Sequence, residues 1–180
     1  MSNKASTAQD QPPIPGDRRG TLGVGPDGEW QIRFERRLRH APGRVWAALT
    51  DPDQQAQWVP GVTIEATVGG KVVFDFGDEG MAEGEVLAVE PPRALEHTWI
   101  WPGEPRSVVR WDISVDGDET VLVMLHRQLR QAPAVDYATG WHAMLDAFGI
   151  YLDGGDPAAA EPDYAGLFEF YSQAAQDQTK

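Results

Sequence analysis

The chain has no cysteine among its 180 residues, which excludes disulfides and thiolate metal sites, and with them the stapling of small secreted domains. A reducing, cytoplasmic setting is the expectation. Long apolar runs are missing too: none approaches the roughly 18 residues that cross a bilayer as a helix. Positions 1–20 are polar and lack the apolar stretch of a signal peptide. Positive charge is scarce. With 15 Lys and Arg against 28 Asp and Glu, the formal net charge is -13. Nucleic-acid phosphates and anionic membrane surfaces are repelled on average, so neither nucleic acid nor membrane is expected as a partner. The densest basic stretch, Arg33, Arg36, Arg37, Arg39 and Arg44, reads as a solvated strand face.

Motifs that carry chemistry are equally sparse. The four histidines, His40, His97, His126 and His142, have no metal-binding spacing, so no metal is expected. Gly20, Gly23, Gly25 and Gly28 are spaced for an irregular turn and not for a phosphate cradle, which leaves no support for a nucleotide or other cofactor. Ser107, Ser114 and Ser172 lack the setting of an activated nucleophile. His97 and His126 fall in predicted strands and are expected as hydrogen-bonded sheet residues; facing a pocket, either offers a base titrating near neutral pH. Alternation places most of Glu83, Glu85, Glu96, Arg110 and Asp112 on an outer, solvated face.

What remains is the pattern of a single globular domain with tails, since hydrophobic residues make up 41% of the chain and charged residues 24%, near the average for folded proteins. Positions 1–20 read as a disordered arm, 21–155 as the domain, and 156–180 as an extension with a short amphipathic helix. Trp30, Ile32, Phe34 and Leu38 alternate with Gln31, Arg33, Glu35 and Arg37 as a half-buried strand. Pro42 and then Asp51-Pro52 open two short helices. Strands follow without an intervening helix, separated by Gly69-Gly70, Gly77 to Gly80, Pro91-Pro92, Pro102 to Pro105 and Asp116-Gly117-Asp118, which argues for an antiparallel sheet. After Pro133 the period becomes helical through Val135, Ala138, Trp141 or His142, Leu145, Phe148 and Leu152, stopped by Gly154-Gly155. Tyr164, Leu167, Phe168 and Tyr171 carry the last helix. Its docking on the body is favoured, and an exposed aromatic stripe there would point to a homodimer.

Three stretches go beyond pattern. His40 to Pro52 (HAPGRVWAALTDP) with Trp58 after it, Val89-Glu90-Pro91-Pro92-Arg93 leading to Thr98-Trp99, and Gly140-Trp141-His142-Ala143-Met144-Leu145 resemble the bacterial relatives of the Hsp90 ATPase activator C-terminal domain. Those proteins belong to the START and Bet v 1 helix-grip superfamily. The resemblance spans roughly Trp30 to Gly155. It implies an α+β helix-grip fold: a curved antiparallel sheet wrapped around a long C-terminal helix, with two short helices after the first strand. Gly140 inside that helix costs about 1 kcal/mol relative to Ala unless close helix-to-sheet approach requires it.

The seven tryptophans exceed what one core of this size needs, and each indole N–H seeks a partner. On a helix-grip fold, Trp46, Trp58, Phe74, Phe76, Trp99, Trp111, Met124, Trp141, Leu145 and Phe148 are expected to line an apolar cavity between sheet and long helix. A small hydrophobic, planar or aromatic molecule suits such walls. Two other readings follow from the resemblance. One is a chaperone-binding or other protein-interaction module; the other is a polyketide cyclase or dehydratase-like enzyme, which requires His97, His126, Arg110 or Asp112 to face inward.

Overall fold

The structure is a computed structural model that describes residues 16–179. Positions 1–15 of the expected arm, and Lys180, lie outside the described residues. One antiparallel sheet of eight strands runs in the spatial order β1-β2-β8-β7-β6-β5-β4-β3. Its strands are β1 (Thr21–Val24), β2 (Trp30–Leu38), β3 (Val62–Ile64), β4 (Lys71–Asp75), β5 (Met81–Glu90), β6 (Ala94–Trp99), β7 (Ser107–Asp116) and β8 (Glu119–Leu129). The helices are α1 (Pro42–Thr50), α2 (Pro52–Trp58), α3 (Gln131–Leu152) and α4 (Tyr164–Gln178). This is the helix-grip arrangement, with α3 held against the inner face of the sheet.

Local chemistry explains the boundaries. The Asp51 backbone closes α1, and its side chain accepts from the Asp53 N–H at 2.9 Å, so one residue ends one helix and caps the next. Gln55, 1% exposed, donates to the carbonyls of Leu49 and Ile64 at 3.0 Å each, tying both short helices to β3. In β2 the residues Trp30, Ile32 and Phe34 are buried as the alternation requires.

Several details differ from the sequence reading. The glycine-rich stretch from Gly20 to Gly28 contains β1 and a hairpin turn in which Gly28 takes φ +83°, a conformation that disfavours other residues. The end of the expected arm is packed: Gly16–Arg18 form a 3-10 turn, and the Gly20 N–H donates to the Tyr171 hydroxyl at 2.9 Å. Helix α3 starts at Gln131, ahead of Pro133, because a proline in the first turn forfeits no intrahelical hydrogen bond. Gly140 serves no close approach, since a β-carbon there would meet no atom within 4 Å.

Helix α4 docks on the body, burying Leu167, Tyr171 and Ala175, while Tyr164 and Phe168 remain 57% and 47% exposed. On the outer face of the sheet, Glu96 lies 3.2 Å from Arg127 and 3.5 Å from Arg110, and Arg110 lies 3.0 Å from Asp112. That face is the charged ladder the alternation implies.

Candidate ligand-binding site

Between sheet and helix the space is occupied by rings. Phe74, Trp99, Trp111, Met124 and Trp141 are each at most 2% exposed. Ring centroids lie 4.9 Å apart for Phe74–Trp99, 5.4 Å for Trp99–Trp141, 5.4 Å for Trp111–Trp141 and 5.6 Å for Phe74–Trp141. Further along α3, Leu145 and Phe148 are buried, with Trp58 edge-on to Phe148 at 5.0 Å. Trp46 and Phe76 are half-buried at the margin. The ten expected lining residues therefore form two connected packing groups and a fringe.

His97 and His126 both face inward and are 0% exposed. Each accepts from an indole. Trp111 Nε1–H donates to His97 Nε2 at 3.1 Å, and Trp141 Nε1–H donates to His126 Nδ1 at 3.0 Å. These bonds fix the tautomers. His97 keeps its proton on Nδ1 and donates it to the Thr98 carbonyl at 2.9 Å. His126 keeps its proton on Nε2, which faces Ser107 Oγ at 2.8 Å, and that hydroxyl donates to the Trp99 carbonyl at 3.3 Å. The Ser107–His126 pair thus runs the wrong way for catalysis, because the imidazole gives the serine a proton and has no free lone pair to take one. Burial pushes His97 down to about 4 and His126 down to about 3, so neither titrates near neutral pH.

At the N-terminal end of α3, Tyr137 donates to Glu104 Oε1 at 2.6 Å. Burial first, and the Glu104 carboxylate second, raise this phenol above its ordinary pKa, while the nearby Trp99 indole works in the opposite direction. Among the described residues the buried Trp99 Nε1–H makes no hydrogen bond of normal geometry.

A second polar group was not anticipated by the sequence reading. Arg36, expected on a solvated face, is 6% exposed. Its Nη1 meets Asp146 Oδ1 at 2.7 Å and its Nη2 donates to the Arg18 carbonyl at 3.0 Å. Asp146 Oδ2 lies 3.4 Å from His142 Nε2, and His142 Nδ1 lies 2.7 Å from the Tyr171 hydroxyl. With the proton on Nε2 facing the carboxylate, Nδ1 accepts from Tyr171. Burial works against the Asp146 charge, but His142 and Arg36 outweigh it and hold that carboxyl below its usual range. Burial pushes Tyr171 up to about 12. Position 36 follows Phe34 by two residues and so shares its face; that alternation was the available signal.

Open space lies on the other side of α3. A cleft of about 990 Å³ runs along Met144, Ala147 and Ile150, bounded by Trp58 to Pro60 and Phe76 on one side. The segment from Pro157 to Pro162 and the residues Tyr164 and Leu167 of α4 form the other side, with His142 and Asp146 also lining it. Of the ten expected residues, Trp58 and Phe76 border this cleft. Leu145 and Phe148 border a smaller hollow of about 560 Å³ over Arg36 and Asp146. Among the described residues no group of His, Cys, Asp and Glu is arranged to hold a metal ion.

The family model described as activator of Hsp90 ATPase homolog 1-like protein matches residues 39–153. No curated protein matches the sequence. Among solved structures, CalU16 from Micromonospora echinospora superposes with a TM-score of 0.72 at 26% identity, over 88% of this chain and 94% of that one. The Bordetella parapertussis protein encoded by BPP1335 is 32% identical, with a TM-score of 0.62 over 83% of this chain and 85% of that one. DynU16, a protein of the dynemicin biosynthetic locus, is 27% identical with a TM-score of 0.63, over 71% of this chain and 48% of that one.

Proposed function

Because the chain belongs to the activator of Hsp90 ATPase homolog 1-like family, whose helix-grip fold serves many unrelated tasks, we propose that it binds a small, mainly apolar molecule in the cleft beside α3. The cleft itself carries this reading. Its volume of about 990 Å³ lies at the upper end of small-molecule sites, which are typically apolar with a few placed polar groups. Trp58, Phe76, Met144 and Ile150 supply apolar walls, and polar groups among them and at the rim include His142, Asp146, Glu161 and Glu169. The sheet–helix interface, by contrast, is filled by its own tryptophans, so its role is to hold α3 rigid beneath the cleft. The occupied lone pairs of His97 and His126 weigh against the cyclase-like reading. DynU16 belongs to the dynemicin biosynthetic locus, a setting in which a carrier or sequestering domain fits.

Titration with 1-pyrenemethanol, a neutral planar fluorophore, tests the proposal by energy transfer from tryptophan to pyrene. Saturable transfer is expected from the unaltered protein, and weaker binding from an Ala147→Trp variant that projects an indole into the cleft while keeping its circular dichroism. A flat titration of the unaltered protein, or a saturation midpoint that Ala147→Trp leaves unchanged, removes the cleft as the site.

A further inference from the structure

We infer that the ligand of this cleft is an amphipathic cation, an ammonium or similar positive group on an apolar body. The inference rests on the cleft being the binding site and adds the charge of its occupant. Asp146, Glu161, Asp163 and Glu169 border the cleft, against a single Arg or Lys side chain among its lining residues, Arg18. Their states differ. Asp146 is engaged by Arg36 at 2.7 Å and lies 3.8 Å from Arg18. Asp163 accepts from the Gly166 N–H at 3.1 Å as the cap of α4. Arg18, 3.8 Å from Asp146, is outnumbered by the carboxylates on the cleft border. Glu161 and Glu169 make no ion pair among the described residues, and their charge is left for whatever enters.

Two further features favour a cation. Tyr164 stands 57% exposed beside Glu161 and Asp163 on the cleft border, and an aromatic face attracts an ammonium or guanidinium group. The walls around Met144, Ile150 and Leu167 are apolar, and a charged rim over low-dielectric walls focuses its field into the space between them. An anionic ligand of the same shape meets that field with the opposite sign, on a molecule whose net charge is already -13.

Three probes with one apolar body separate these effects: 1-pyrenemethylamine, 1-pyrenemethanol and 1-pyrenecarboxylate, titrated into the full chain at about 0.01 M and about 1 M salt. The amine is expected to bind about tenfold tighter than the alcohol at low salt and the carboxylate more weakly than either, with the differences shrinking at high salt. The double variant Glu161→Gln/Glu169→Gln is expected to cut the amine-to-alcohol ratio to about threefold or less. Glu83→Gln/Glu85→Gln, which removes the same charge from the exposed face of β5, should leave the ratio as it was. Equal affinities for amine and alcohol overturn the cation assignment while the cleft reading stands. An equal loss of the ratio in both double variants also overturns it, since net charge alone would then be responsible. Absence of binding by all three probes overturns the cleft reading, and the cation assignment with it.

Discussion

His97 and His126 accept hydrogen bonds from buried indoles, and this makes the native state intolerant of their protonation. In the unfolded chain both bind protons below about 6.5. In the folded chain His97 does so only near about 4 and His126 near about 3. Between those limits the unfolded state holds more protons, so stability is full above about 6.5 and falls as pH drops, by about 1.4 kcal/mol per pH unit for each histidine. Urea midpoints taken from pH 7 to pH 5 should show this slope. A His126→Asn variant, which retains a side-chain acceptor, should show roughly half of it, and an unchanged slope would sink the assignment. Two glycines make opposite predictions in thermal melts. Gly140→Ala should stabilise by about 0.5–1 kcal/mol, because the helix gains and nothing is struck. Gly84→Ala should destabilise by about 1–3 kcal/mol, because its β-carbon would press on the Thr98 backbone carbonyl in the neighbouring strand. Arg36 shows where residue-level reading stops. Alternation places it beside Phe34, but its basic character suggested solvent, and the partner that resolves the conflict, Asp146, is 110 positions away.

At the scale of elements, all but the shortest strands were legible, including the two short helices opened by Pro42 and by Asp51-Pro52. The period of α3 and the alternation of β2, β7 and β8 persist for 9 to 22 residues, long enough for the buried face to declare itself. β1 and β3 have four and three residues, too few for any period, and β1 spends one of them on Gly23. The cleft was not legible at all, because its walls come from α2, α3 and α4 and the segment before α4, whose apposition no local pattern records. Only Trp58 and Phe76 were named for it, and for a different cavity. What holds α4 in place is also testable. The Tyr171 hydroxyl satisfies both the Gly20 N–H and His142 Nδ1. Tyr171→Phe leaves two buried groups unpartnered, at a cost of about 1–3 kcal/mol for each at most. Hydrogen exchange should accelerate in α4 and at Gly20 and leave β7 and β8 as they were; uniform acceleration would mean that α4 is not a separable unit.

For the whole molecule, the family match over residues 39–153 leaves out β1, β2 and α4 entirely. Those outlying elements meet one another through Gly20, Arg36 and Tyr171, and α4 supplies one wall of the cleft. A relative that retained only the matched core would keep the tryptophan-filled grip but lack that wall, so ligand binding in this cleft should be expected only where the extension is present. The bond from Gly20 to Tyr171 spans 151 positions, which bears on how the protein is made. A ribosome adds residues from the N-terminus at roughly 5–20 per second, so β1 and β2 emerge early and wait. β2 must wait for β8 to emerge, and Gly20 for position 171. β1 and β2 can pair with each other as soon as both have emerged, but the other edge and the apolar face of β2 stay uncovered until β8 and α3 follow.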